Sequence, residues 1–272
     1  PGNPGLWTTG SNTLWVQFNT PGTYSITDLV GNTCGQDAQT QTICIEQPPV
    51  PAFTLSPTVG CAPLTSTTTN TSVSPNTCGT TYQWNVTSVA SSCGSGPAWN
   101  FVGGTNASSF EPQFQFTQPG TYTVQLQATN SCGTFSVSQS VTVNAPPQVS
   151  LSPLSGICAG QCVNPSSTVQ PCGAPIDTYA WTFPGGAPAN ANTLSPGQVC
   201  FAAPGNPTIS LTVTNACGSA TANANLAIGT LPPVPVVSSN SPVCHGQTLS
   251  LSAAPIPGVT FQWTGPGGFS SN

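Results

Sequence analysis

The sequence predicts an all-β chain of tandem two-sheet sandwiches stapled by disulfides, and three observations carry that reading. First, one strand-and-turn motif is written three times. It runs from Pro21-Gly22-Thr23-Tyr24 to Cys34-Gly35, from Pro119-Gly120-Thr121-Tyr122 to Cys132-Gly133, and from Pro204-Gly205 to Cys217-Gly218, with a Pro-to-Cys spacing of 13 in each copy. Self-similarity at that fidelity marks a repeat protein. Second, Tyr122, Val124, Leu126 and Ala128 alternate with Thr123, Gln125, Gln127 and Thr129, the period-2 pattern of a half-buried strand. Helical periodicity of useful length is absent throughout. Third, the 12 cysteines include no Cys-x-x-Cys pair and are accompanied by 1 His. That set fits disulfides and not zinc sites.

Charge narrows the function further. The 272 residues contain no Lys or Arg, 5 acidic residues and 1 His, for a net charge of −5. Nothing is present to neutralise phosphates, which excludes nucleic acid and anionic membrane surfaces as partners. Trypsin has no site in the chain. Disulfides imply an oxidising, extracellular compartment. No apolar run approaches the roughly 18 residues of a membrane span, and no stretch reads as a signal peptide. The chain is therefore expected to be a mature product or a piece of something longer.

Proline-rich joints at Pro48-Pro49-Val50-Pro51, Pro146-Pro147 and Pro232-Pro233-Val234-Pro235 separate strand-like runs. Such linkers are stiff and extended, so the units are expected to sit end to end as a rod. Two complete units fall at 48–145 and 146–231. In the first, Cys61 opens a Thr-rich strand, Tyr82 to Val86 follows, then Phe114 to Phe116 and the repeated motif. In the second, Cys158, Tyr179 to Phe183, Val199 to Phe201 and Thr208 to Thr214 keep the same order. Cys61 to Trp84 and Cys158 to Trp181 both span 23 residues. About seven short strands around a central Trp describe an immunoglobulin-like sandwich.

The pattern Tyr-x-Trp, followed by Pro-Gly-x-Tyr-x-Val-x-Leu and Asn-x-Cys-Gly, resembles the PKD-type immunoglobulin-like repeat of large bacterial surface proteins. The resemblance covers nearly the whole chain. It implies extracellular stalks, adhesins and filaments on a bacterial cell surface, without catalysis. The family's acidic Trp-Asp-Phe-Gly-Asp-Gly turn is replaced here by Trp181-Thr182-Phe183-Pro184-Gly185-Gly186 and Trp263-Thr264-Gly265-Pro266-Gly267-Gly268. Pro207 stands where the other copies have Tyr24 and Tyr122. These departures bear on calcium or charge-mediated recognition and not on the fold.

Residues 1–47 read as the C-terminal half of a unit: an aromatic strand at Leu14 to Phe18, the motif, and a last strand. Residues 232–272 read as an N-terminal half. Half a sandwich exposes its core, and the two halves add up to one unit of ordinary length. The partner expected is the chain itself, either as complementing subunits or as one period of a longer polypeptide. The alternative is a truncated unit at each end.

Immunoglobulin topology puts the B–C and F–G loops at one end, which pairs Cys78 with Cys132 and Cys172 with Cys217. Cys162 and Cys200 lie on neighbouring strands, and Cys61 with Cys93 is expected at the opposite end. Cys34, Cys44, Cys158 and Cys244 stay open. Local pairing joins Cys34 to Cys44, whereas a junction between copies joins Cys44 to Cys244 and Cys34 to Cys158.

An enzyme needs convergent titratable groups, but Asp28, Asp37, Glu46, Glu111 and Asp177 are scattered. Cys244 and His245 are neighbours that on a strand would point to opposite faces. No catalytic residue, metal site or cofactor is expected. Trp84, Trp181 and Trp263 take the core slot of the central strand, leaving Trp99, in an insertion after Trp84, as the candidate contact aromatic. The reading is a structural extracellular repeat protein, a filament or adhesin stalk. The alternatives are a module binding surface glycans and accessory repeats of a larger secreted enzyme.

Overall fold

A computed structural model describes residues 12–13, 15–73 and 79–272. The expectations for Leu14 and for Cys78 fall outside these residues. The chain is all-β, with tandem immunoglobulin-like domains. By compactness it divides into residues 1–150, 167–180 and 211–222 as one unit and residues 151–166, 181–210 and 223–272 as another.

In the first unit, β1 (Gly22–Asn32) and β2 (Gly35–Ile45) form an antiparallel hairpin in register from Gly22 opposite Ile45 to Asn32 opposite Gly35. The Tyr24 hydroxyl donates to the Thr20 carbonyl at 2.9 Å. This link from the start of a strand to the backbone just upstream is a tyrosine corner. Residues 15–18 form no strand, and Trp15 is 92% exposed. Over residues 15–18 the expected aromatic strand is thus absent.

The next sandwich comprises β3 (Phe53–Ser56), β4 (Val59–Cys61), β5 (Leu64–Asn70), β6 (Thr81–Ala90), β7 (Trp99–Val102), β8 (Gln113–Phe116), β9 (Gly120–Asn130) and β10 (Gly133–Asn144). One sheet has the order β3-β5-β8-β7 and the other β4-β10-β9-β6. This is the A-B-E-D and A′-G-F-C arrangement of an immunoglobulin-like sandwich. Alternation does the sorting: Tyr122, Val124 and Leu126 on β9 are fully buried and pack with Phe53, Leu55, Trp84, Phe114, Phe116 and Val141. Trp84 donates its indole N–H to the Ser109 carbonyl at 2.9 Å, so the largest core side chain leaves no polar atom unpaired. The Tyr122 hydroxyl donates to Gln118 at 2.8 Å, repeating the corner of Tyr24. Gly120 is required by space, since a Cβ there would sit 2.8 Å from the Val89 carbonyl oxygen.

The following strands are β11 (Gln148–Leu151), β12 (Ile157–Cys158), β13 (Cys162–Val163), β14 (Ser167–Gln170), β15 (Ile176–Thr182), β16 (Gly186–Ala187), β17 (Asn190–Ala191), β18 (Val199–Phe201), β19 (Thr208–Asn215), β20 (Gly218–Asn225) and β21 (Ile228–Gly229). Their sheets run β17-β15-β19-β20, β13-β18-β16, β11-β14 and β12-β21. Within the second unit, Trp181 is buried and donates to the Thr193 carbonyl at 3.0 Å, the role Trp84 has in its own core. Its ring stacks on Phe183 at 5.5 Å.

Residues 232–272 add β22 (Val237–Ser239) paired with β23 (Leu251–Ala253), and β24 (Trp263–Thr264) paired with β25 (Ser270–Ser271). Val236, Val237, Leu249, Leu251 and Phe269 are exposed there.

Candidate functional site at the repeat junction

Two features recur along the chain and meet in the first unit. One is the turn that ends the repeated motif. Cys34, Cys132 and Cys217 each donate the backbone N–H to the side-chain oxygen of the asparagine two residues earlier, at 2.8, 2.9 and 2.9 Å. Asn is suited to this because its short side chain can cap its own turn. The other feature is the strand that carries Cys61. It pairs in parallel with the end of β10, with Cys61 opposite Asn144, and Ala62 donates to the Asn144 carbonyl at 2.9 Å.

The turn of one repeat docks on the last strand of the repeat before it. Asn215 donates its side-chain amide to the Ala145 carbonyl at 2.9 Å and also to Pro171 at 2.9 Å. Asn130 donates to the Gln47 carbonyl at 2.8 Å. Ala145 and Gln47 are equivalent, each lying 13 residues after its own turn cysteine. At the earlier junction Ser131 donates its N–H to the Glu46 carboxylate at 2.8 Å and its hydroxyl to the same oxygen. These two bonds, the hydroxyl first, hold the Glu46 carboxyl below the usual glutamate range. At the later junction the Ala145 N–H donates to Cys172 at 3.0 Å and the Gln148 amide to Cys93 at 3.1 Å.

Disulfides close the later junction on two sides. Cys61 is bonded to Cys217 and Cys93 to Cys172, both with Cα atoms 5.4 Å apart. These bonds replace the expected pairs Cys61–Cys93 and Cys172–Cys217. Strands β4 and β6 are the opposite edges of one four-stranded sheet. Cys61 and Cys93 are therefore separated by three strand spacings, about 14 Å, beyond the roughly 7 Å limit for a disulfide. Each sulfur turns instead to a cysteine of the next repeat. Cys162 and Cys200 are bonded across β13 and β18, where they are direct partners in register.

Cys132 carries no disulfide among the described residues, and the expected bond to Cys78 lies outside them. Cys34 is also free and Cys44 is disulfide-bonded, so Cys34–Cys44 does not form. The hairpin register explains this: Cys44 is opposite Thr23, at the far end of the ladder from the Cys34 turn, about 30 Å along the strand. The pair Cys44–Cys244 is expected between copies; within one chain Cys244 is free and Cys44 is disulfide-bonded. Trp99 is not in a loop. It lies half-buried on β7, its ring 5.2 Å from Phe101 and 6.0 Å from Phe114, packed against the edge of the core.

Asn130, Asn215, Ser131 and Glu46 escaped the sequence reading. The signal was present in the fixed distance from each turn cysteine to Gln47 and Ala145. Among the described residues no three His, Cys, Asp or Glu side chains converge as metal ligands.

No family model matches the sequence, and no curated protein matches it. Solved structures similar in fold include a three-Ig fragment of titin in an E-to-A mutated variant. It is 16% identical, with 79% of this chain and 76% of that chain covered and a TM-score of 0.45. An I-band fragment of titin gives the same identity and coverage at a TM-score of 0.43. The N-terminal four Ig domains of Dscam1 are 17% identical over 71% of this chain and 52% of that chain, with a TM-score of 0.34.

Proposed function

We propose that the chain is a structural, extracellular repeat segment of PKD type, serving as a bacterial surface filament or adhesin stalk. Its units are 48–145 and 146–231, with halves at 1–47 and 232–272, stacked end to end as a rod. The observation that supports this most is the junction itself. A turn asparagine of one repeat binds the end of the previous repeat at two successive positions, and two disulfides staple the later one. Hydrogen bonds and disulfides at the joint add to the stiffness of the proline linkers. Function then lies in length, stiffness and resistance to proteolysis. The test is negative-stain microscopy of the concentrated chain beside a glycan array. Unbranched fibres and an empty array are the expected result. Isolated particles at high concentration together with specific glycan hits would overturn the reading in favour of a binding module.

A further inference from the structure

Four cysteines carry no disulfide among the described residues: Cys34, Cys132, Cys158 and Cys244. Their positions repeat those of Cys61 and Cys217, which are bonded to each other. Cys34 and Cys132 occupy the asparagine-capped turn of Cys217. Cys158 repeats Cys61: it ends a short strand paired in parallel with a last strand, opposite Gly229, and Ala159 donates to the Gly229 carbonyl at 3.0 Å. Cys244 lies between β22 and β23, which pair antiparallel just as β3 and β5 pair on either side of Cys61. No strand forms around Cys244 because the strand it would join is a last strand, and residues 232–272 contain none.

The bond Cys61–Cys217 follows a rule: the first-strand cysteine of one repeat joins the turn cysteine of the next. Building on the repeat reading above, we infer that copies of this chain join head to tail through two disulfides. Cys244 of one copy bonds Cys132 of the next, and Cys158 of that first copy bonds Cys34 of the next. The occupant of the exposed β1–β2 hairpin is thus the 232–272 half of a second copy.

Several observations converge on this register. Glu46, Asn144 and Gly229 all lie 12 residues after their turn cysteines. Asn144 and Gly229 are the partners of Cys61 and Cys158, so Cys244 of the preceding copy belongs opposite Glu46. Glu46 is already held by Ser131, the neighbour of Cys132. Thr230 is the counterpart of Gln47 and Ala145, lying 13 residues after Cys217, and its carbonyl is the acceptor for Asn32 of the next copy. Exposed apolar side chains stand on both halves: Ile26 and Val30 on the hairpin, Val237, Leu251 and Phe269 on the other. One rule uses each of the four free thiols among the described residues once. A head-to-tail contact of this kind is heterologous, and where its rotation does not close a ring it propagates as a filament.

Each bond forms by exchange with a small-molecule disulfide such as oxidised glutathione. Two thiols lose two protons and two electrons, and the oxidant is reduced to two thiols.

The test mixes equal amounts of unlabelled and nitrogen-15-labelled chain, fully reduced, and refolds them together with oxidised glutathione. Unreduced digestion with pepsin, needed because the chain lacks Lys and Arg, is followed by mass spectrometry. The expected products are Cys132–Cys244 and Cys34–Cys158 peptides, about half of them pairing a labelled with an unlabelled partner. A non-reducing gel should show a ladder in steps of 27.4 kDa that collapses on reduction. Recovery of the Cys61–Cys217 peptide controls for refolding. The double variant Cys158→Ser with Cys244→Ser should lose the ladder while keeping that peptide. Links only between identically labelled peptides, Cys34–Cys132 or Cys158–Cys244 pairs, or four thiols that remain alkylatable each overturn the inference. Fibres whose thiols remain alkylatable would sink the pairing and leave the structural reading standing. Single particles would remove both.

Discussion

The hairpins β1–β2 and β9–β10 are the same object in two settings. Both have eleven residue pairs in register, a two-residue Asx turn ending in Cys-Gly, and a tyrosine corner at the first strand. Yet Val124 and Tyr122 are fully buried, whereas Ile26, the counterpart of Val124, is 40% exposed. The ladder and the corner are therefore local properties of the motif. Burial comes from the other half of a sandwich, which β9–β10 has in β3 to β8 and β1–β2 lacks among the described residues. One position differs in kind: Asp28 stands where Leu126 is fully buried, so the first hairpin brings one apolar residue fewer to any sandwich it completes.

The largest test of that contrast is truncation on the two core faces. Leu126→Ala should cost about 3–5 kcal/mol, the range for a buried leucine whose surroundings collapse only in part, read as a fall in the denaturant midpoint. Ile26→Ala should change stability by under about 0.5 kcal/mol in dilute, uncomplemented chain. Its cost should rise toward that of a core residue once copies assemble. Equal costs for the two in dilute chain would show that burial is not what separates the hairpins.

Next in size are the staples. Replacing Cys61 and Cys217 together by serine removes a bond that spans 156 residues. The expected loss is about 2–4 kcal/mol, measured by thermal or denaturant unfolding. No comparable loss should follow from Cys34→Ser in the dilute chain. A destabilised Cys34→Ser chain would show that this thiol already works within one copy.

The fold was legible because alternation, the central tryptophan and the repeated motif all report local or same-face geometry. Tyr122, Val124, Leu126 and Trp84 fall where the period-2 pattern puts them. Connectivity was not legible to the same degree. Assuming that each sandwich closes its own bonds pairs Cys61 with Cys93 and Cys172 with Cys217, although both ends of a repeat face another repeat. Nothing in composition says that a turn cysteine looks outward. The separation of β4 from β6 across the sheet is what forces it. Trp99 stands in residues that break the repeat's length, and nothing in that break marks the strand Trp99 to Val102, which pairs with β8 at the edge of its sheet.

The tyrosine corners offer a finer comparison. Tyr122 is fully buried, donates to Gln118, and accepts the Ala98 N–H at 3.2 Å. Tyr122→Phe leaves that N–H and the Gln118 carbonyl short of a partner, at a cost of about 1–2 kcal/mol. Tyr24 has the Thr20 bond in a partly exposed setting, so water replaces its hydroxyl and Tyr24→Phe should cost less than half as much. Equal losses would place the value of the corner in the local turn and not in burial.

The smallest effect belongs to Glu46, where the first hairpin meets the second. Ser131 donates two hydrogen bonds to the ionised carboxylate, and both favour the charged form. The folded pKa is therefore depressed. The sign follows from linkage: the contact stabilises fully above the unfolded glutamate pKa and is lost as pH falls through the lower, folded value. A carbon-detected titration of the Glu46 carboxyl should give a midpoint below that of an exposed glutamate. Ser131→Ala should move it upward, because the hydroxyl is the larger of the two causes. If the midpoint does not respond to Ser131→Ala, the hydroxyl does not hold Glu46, and the earlier junction is kept by Asn130 on the Gln47 carbonyl without help from charge.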